Sequence, residues 1–298
     1  MKRLLSRGGA HLGIGLMWLL HWLPMPVLAA LGRGLGAVLW RLAGSRRRIA
    51  RRNLALCFPE RSEAEREALA REHFGWVGRS ILERSLLMFA SRRRLLRLMQ
   101  IEGDLTLAER SDRPVMWLVP HFVALEWVGP ALMLRQSRPA LDVYQRQSNP
   151  VIDAALLRAR GRFGTNALVD RHEGARPVIK WIRQGYGFVN APDMDFGRDG
   201  SAFVPFFGVP ACTLLAPAKM AQSLDMLVLP LIVHIRPGGL GYSIKALPPL
   251  EGFPTGDALA DTALLNRWVE AQVREQPAQY LWVHKRFKTR PEGEPPLY

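Results

Sequence analysis

His121 and Glu126, in the run His121-Phe122-Val123-Ala124-Leu125-Glu126, are the residues of this sequence whose types best suit proton transfer. An imidazole can take a proton from a hydroxyl near neutral pH, and a carboxylate on its other nitrogen fixes the tautomer and stabilises the imidazolium. On one continuous helix, five residues turn the chain by roughly 500°, which leaves these side chains about 140° apart. With His121 in a loop and Glu126 in the first turns of the next helix, the carboxylate can fold back to the ring. The N-terminus of that helix would also face a developing oxyanion. A histidine with an acid five residues on also arises by chance, as a capping or surface-paired histidine, so spacing alone does not select the catalytic reading.

Other side chains could complete a site. Arg146, Arg160 and Arg162 follow in the chain and can hold anionic groups, or can simply face solvent from a helix. Asp193 and Asp195 come just after an apolar run, and two aspartates with no histidine nearby make a poor transition-metal site. Cys57 and Cys212 fit neither a metal spacing nor a disulfide framework and read as packing residues. No GxSxG elbow, P-loop or dinucleotide-binding glycine pattern occurs. Gly32-Arg33-Gly34-Leu35-Gly36 lacks the third spacing and the following acid.

The elements that must position these residues are legible from period and punctuation. Pro114 to Val119 is a short apolar run that suits a buried strand, ended by Pro120-His121, and Ala124 to Leu134 reads as a helix that Pro130 could kink. Upstream, Ser62-Glu63-Ala64-Glu65 is a capping-box pattern that opens a helical region over residues 62–99. That region ends in the basic cluster Arg92-Arg93-Arg94 with Arg97, a solvated face or an anionic-surface contact. Downstream, strands are predicted over 141–144, 166–169, 187–191, 226–233 and 242–247. Helices are predicted over 150–162, 175–184, 214–224 and 258–275, and residues 192–210 read as a loop rich in Pro, Gly and Phe. Alternation of this kind predicts an α/β protein, a mixed sheet flanked by helices.

The N-terminus is of a different kind. Lys2, Arg3 and Arg7 precede a charge-free stretch from Gly8 to Gly32, long enough for the roughly 20 apolar residues that cross a bilayer. His11, His21, Pro24 and Pro26 interrupt it, and a second apolar run, Leu35 to Leu42, contains Arg41. A cleaved signal peptide is the alternative, but the stretch exceeds the ~7–15-residue core of such peptides. The cluster Arg46 to Arg52 then reads as cytoplasmic, with Trp18, Trp22 and Trp40 available to an interface. The expected organisation is a hydrophobic helical membrane-anchoring segment over 1–45, spanning or monotopic, and one catalytic domain over 46–298.

The formal net charge is +15, most of it from arginine, since only six lysines occur among 298 residues. That charge calls for an anionic partner: nucleic acid, an anionic membrane surface or an acidic protein. Nucleic acid is disfavoured, because no binding motif is present and the aromatics are not interleaved with the basic clusters.

Several segments together resemble one family, the late acyltransferases of lipid A biosynthesis (lauroyl/myristoyl type), within the lysophospholipid-acyltransferase-like superfamily. They are Ala50-Arg51-Arg52-Asn53-Leu54 with Cys57-Phe58-Pro59-Glu60, the His121 to Glu126 motif, and Tyr144 to Asp153. Ala191 to Gly197, Phe203 to Gly208 and, most specific, Tyr280 to Pro291 complete the match, which runs from about residue 10 to the C-terminus. In one place the sequence departs: the family's Tyr-Arg pair reads Tyr144-Gln145-Arg146, so the arginine is shifted in register or replaced.

The resemblance implies transfer of a fatty-acyl chain from acyl carrier protein to a hydroxyl of a lipid A precursor at the bacterial inner membrane, on its cytoplasmic side. It implies His121 as general base oriented by Glu126. It also implies Arg146, Arg160 and Arg162 on the anionic acceptor, with Asp193 and Asp195 shaping the site. No cofactor is expected beyond the carrier thioester, and no metal. With no serine elbow, direct attack by the acceptor hydroxyl is expected. A basic enzyme suits both an acidic carrier protein and a phosphorylated lipid. The rivals are an acyltransferase for another membrane lipid, such as an amino-acid lipid or a glycolipid, and a catalytically inactive membrane interaction protein.

Overall fold

The computed structural model describes residues 2–298. Helices α1 (Lys2–Leu20), α2 (Met25–Leu42), α3 (Gly44–Cys57), α4 (Glu63–Phe89) and α5 (Arg92–Leu98) open the chain, followed by strands β1 (Met99–Glu102) and β2 (Val115–Leu118). Next come α6 (Val128–Arg135), β3 (Ala140–Tyr144), α7 (Pro150–Arg160), β4 (Asn166–Asp170), α8 (Ala175–Arg183) and β5 (Gly187–Asn190). The hairpin β6 (Ser201–Phe206) and β7 (Val209–Leu214), α9 (Ala216–Ser223), β8 (Leu227–Ile235), β9 (Tyr242–Ala246) and α10 (Ala258–Glu275) complete the order. The expected mixed sheet flanked by helices is what forms: seven strands in the order β1-β9-β8-β2-β5-β3-β4, parallel except for the β8–β9 pair.

The local reasons follow the chemistry of the sequence. All four residues of β2 are buried, as a continuous apolar run requires of a central parallel strand. The predicted capping box is present: the Ser62 hydroxyl accepts from the Glu65 N–H at 3.3 Å, and the Ser62 N–H donates to the Glu65 carboxylate at 2.7 Å. Pro130 does not kink its helix, because it falls in the first turn of α6, where backbone N–H groups have no intrahelical partner. The long helix predicted over 62–99 divides at Ala90-Ser91, where Ser91 caps α5 through the Arg94 N–H. Two features differ from expectation. The Phe-rich region read as a loop is the β6–β7 hairpin, turned at Phe207-Gly208 with positive φ at both, and β1 carried no apolar signature.

Two devices fasten the ends of the chain to this core. Gly32 and Gly36 of α2 meet Gly78 of α4 so closely that a Cβ on Gly78 would lie 2.2 Å from the Gly32 carbonyl oxygen, an approach only glycine allows. Leu20, Met25 and Leu28 accordingly share a core with Trp117, Leu229 and Ile244 of the sheet. At the other end, Asn53 of α3 donates to the carbonyls of Trp282 (2.8 Å) and His284 (2.7 Å) and accepts from the Tyr298 hydroxyl. The C-terminal segment after α10 is thereby drawn back across the end of β2, toward His121.

Candidate active site

His121 leaves the C-terminal end of β2, where catalytic side chains of parallel sheets commonly stand. Its backbone is clamped twice: its N–H donates to Asp193 Oδ2 at 2.9 Å, and its carbonyl accepts from the Leu281 N–H at 3.0 Å. Its ring is fixed by a 2.6 Å bond from Nδ1 to Asp193 Oδ1. Since a carboxylate only accepts, Nδ1 carries a proton, and in the neutral ring Nε2 is the nitrogen left to accept one. The Asp193 side chain is 0% exposed, and that of His121 is 18% exposed on the cavity wall. Burial alone would push the Asp193 carboxyl up, but His121, its two hydrogen bonds and the nearby Arg286 bring it below the usual carboxylate range. Tyr280 is buried nearby, and burial together with the Asp193 charge pushes its hydroxyl well above the ordinary tyrosine range.

Arg286, itself buried, is held by the Cys212 carbonyl (2.9 Å) and the Thr213 hydroxyl (2.7 Å), which keeps its charge behind the aspartate. His284 lies in the same corner. Burial, with His121 and Arg286 nearby, pushes it down to about 4, so it is neutral at working pH.

The acid expected to orient the ring does something else. Glu126 sits in a 3-10 turn, Leu125–Trp127, ahead of α6, and its carboxylate is gripped by Arg160 of α7 at 2.9 and 3.3 Å, with Arg84 of α4 3.9 Å away. The expected Glu126–His121 contact is therefore corrected: Asp193 occupies Nδ1, and two nearer cations hold Glu126. Arg160 also reaches Asp142 Oδ2 at 3.2 Å, so its guanidinium joins two carboxylates. Burial lifts Glu126, but Arg160 and Arg84 outweigh it and leave the group below its ordinary value. Asp142 is pushed up to about 6 by burial, opposed by Arg160 and reinforced by the Glu126 charge.

The remaining predicted site residues fall into separate places. Arg160 lines the cavity, but Arg146 is 68% exposed, lies 3.6 Å from Asp170 and is absent from the cavity wall. Arg162 is not on the wall either: its guanidinium donates to the Leu87 (2.8 Å) and Ala90 (3.0 Å) carbonyls, closing the C-terminal end of α4. Asp195 lines the cavity, yet its carboxylate accepts from the Thr289 N–H (2.6 Å) and hydroxyl (2.8 Å) and from the Gly197 N–H (3.0 Å), fastening the C-terminal segment.

Sequence reasoning missed Asp142, whose signal was an acid inside a short apolar strand, and Arg84, which had none. Tyr280 and Arg286 lay within the most specific C-terminal stretch, with no role assigned. Among the described residues, no group of three or more His, Cys, Asp or Glu side chains is placed to hold a metal ion.

His121 and Glu126 face one cavity of about 960 Å³ above the C-terminal ends of β2, β5 and β3. Ile81, Met88 and Met133 supply apolar wall on one side, Val178 and Met220 on the other. The volume sits at the upper end of the range for small-molecule sites, about 300–1,000 Å³, and suits an extended apolar chain. A base with a fixed tautomer beside such a wall can deprotonate a hydroxyl while an acyl chain lies in the cavity.

The model of the bacterial lipid A biosynthesis acyltransferase family matches residues 2–289. The lipid A biosynthesis lauroyltransferase of Escherichia coli (strain K12) is 36% identical over 291 residues, covering 96% of this chain and 94% of its own. The palmitoleoyltransferase of the same pathway and organism is 34% identical over 289 residues (96% and 93%). The corresponding myristoyltransferase is 34% identical over 292 residues (96% and 88%).

Proposed function

The chain belongs to the bacterial lipid A biosynthesis acyltransferase family, and we propose that it transfers a fatty-acyl chain from acyl carrier protein to a hydroxyl of a lipid A precursor, forming a secondary acyl ester. The observation that carries the mechanism is the 2.6 Å bond from His121 Nδ1 to the fully buried Asp193, at the wall of the cavity. In this reading Nε2 accepts the proton of the acceptor hydroxyl as its oxygen attacks the thioester carbonyl. The tetrahedral oxyanion collapses, the C–S bond breaks, and the His121 imidazolium returns the proton to the departing thiolate. Asp193 stabilises the imidazolium in between. Glu126 and Arg160 form a charge-balanced wall beside the base, and we assign them to placing the acceptor.

The enzyme works at the bacterial inner membrane with its catalytic domain over 46–298 on the cytoplasmic side, where the carrier protein is found, and residues 1–45 hold it to the lipid. The apolar walls lined by Met133 and Val178 take the acyl chain. The basic surface receives the acidic carrier and the anionic lipid. No cofactor enters the reaction as written, because the thioester is the activated donor.

The test is acyl transfer followed by mass spectrometry, using purified protein, acyl carrier proteins loaded with chains of different length, and a lipid A precursor. The expected product is one acyl group heavier, and His121→Ala should lower turnover by about 10²–10⁴-fold. Full turnover in His121→Ala would refute the base assignment. Acylation of another membrane lipid with the precursor untouched would move the acceptor, and no transfer to any lipid would reduce the chain to a binding protein.

A further inference from the structure

The first two helices present an apolar stripe that the rest of the chain leaves uncovered. On α1, Leu12, Leu16 and Leu19 recur at i, i+4 and i+7 and are exposed, Leu12 by 78%. On α2, Val27, Leu31, Val38 and Leu42 share one side, with Leu42 79% exposed, and Trp18 and Trp22 stand open near the elbow between the helices. Helix α2 is the one described helix long and apolar enough to cross a bilayer. Its surroundings decide whether it does.

Its other face is locked along α4. Gly32 lies against Arg79 and Gly36 against Phe74 and Gly75, so the two helices run antiparallel in close contact. Trp40 meets Phe74 edge-on at 5.2 Å. The N-terminal end is tied to the same body: Arg94 of α5 donates to the carbonyls of His21 and Leu23, and Gly239 abuts Pro26. A crossing α2 would draw α4 into hydrocarbon with it, including the exposed Arg71, Glu72 and Arg84, which a bilayer core does not tolerate. It would also put two exposed arginine groups on opposite sides of the membrane: Arg46, Arg48 and Arg52 of α3 at one end, and Arg92, Arg93 and Arg97 of α5 at the other. Lying flat, the helix keeps both groups on one side, where anionic head groups attract them.

Building on the membrane association assigned above, we propose that α1 and α2 lie in the plane of one leaflet of an anionic bilayer without crossing it, apolar stripe down, with the two arginine groups among the head groups. Helix α1 packs against α4 and α7. Those helices supply Ile81, Arg84, Leu156 and Arg160 to the cavity wall. The docked layer thus lies against the helices that enclose the site, and a lipid acceptor reaches His121 by moving sideways from the leaflet.

The experiment uses the full chain with one nitroxide at a time on Val27→Cys, Leu31→Cys, Val38→Cys or Leu42→Cys. The native Cys57 and Cys212 are buried and stay unlabelled. Depth is read by electron paramagnetic resonance in vesicles of phosphatidylethanolamine and phosphatidylglycerol. All four labels should sit at one shallow depth, about 5–10 Å below the head groups. Labels at 31 and 38 near the bilayer centre, with 27 and 42 at opposite interfaces, would overturn the in-plane docking and leave membrane association standing. Failure to float with vesicles of any composition would overturn both. Combined Arg46→Glu and Arg48→Glu should weaken binding to the phosphatidylglycerol vesicles at least about tenfold, and unchanged binding would remove the head-group role of α3.

Discussion

Asp193 and Glu126 face the same catalytic corner and are held in opposite ways. Asp193 is wholly buried and bound to His121 through both oxygens, with Tyr280 and Arg286 behind it. Glu126 is 27% exposed and shares Arg160 with a second carboxylate. A buried carboxylate with fixed donors holds one geometry, because any other leaves a charge unpaired in a medium that cannot solvate it. A partly exposed acid between two arginines is charge-balanced but adjustable, since solvent can replace a lost partner. This difference supports the proposed division of labour, in which Asp193 orients the base and the Glu126–Arg160 wall places the acceptor.

The largest break should come from Asp193→Asn. The amide reverses the donor pattern at Nδ1 and leaves Nε2 in the wrong tautomer, so turnover should fall by on the order of 10⁴-fold, the size of tautomer reversals in His–Asp catalysts. Comparison of kcat with circular dichroism of the folded protein checks it. Glu126→Gln keeps one acceptor for Arg160, loses the charge and sets an NH2 against the second guanidinium donor. One charge-assisted interaction is worth about 1.5–3 kcal/mol, so the expected loss is about 10–100-fold, and a loss equal to that of Asp193→Asn would erase the distinction.

Asp142→Asn sharpens the second region through pH. With Asp142 pushed up to about 6, the folded state holds a proton there that the unfolded chain has released above its ordinary carboxylate value of 3.8. Its contribution to stability therefore declines as pH rises from about 4 to 6, and the variant should remove that decline from a series of melting curves. The same substitution should flatten any step near pH 6 in kcat/KM. The smallest effect belongs to Arg162→Gln, which loses part of the closure of α4. Stability should drop by about 1 kcal/mol with kcat nearly unchanged, whereas the neighbouring Arg160→Gln should reduce kcat.

How much of this was legible in the sequence depended on the distance over which each partner acts. Period and capping placed β2, β3, α7 and α10 to within a residue or two, because a buried apolar run or a Ser62–Glu65 box acts through neighbours. The β6–β7 hairpin was missed because its prolines and glycines carry loop chemistry, while its pairing uses hydrogen bonds that any backbone offers. His121 was found from its position after an apolar strand, but its partner lies 72 residues on, brought there by the parallel pairing of β2 with β5. Glu126, only five residues away, was the natural choice on spacing, and the cations that capture it come from α4 and α7. Arg162 shows the same limit: its positive charge was legible, and its use on two carbonyls of α4 was not.

The most direct test is the nitrogen-bound proton of His121 Nδ1, followed by NMR in protein labelled with ¹⁵N-histidine. A strongly downfield resonance should persist in Glu126→Gln and vanish in Asp193→Asn. A signal lost in Glu126→Gln and retained in Asp193→Asn would contradict the Asp193 assignment and return the orienting role to Glu126.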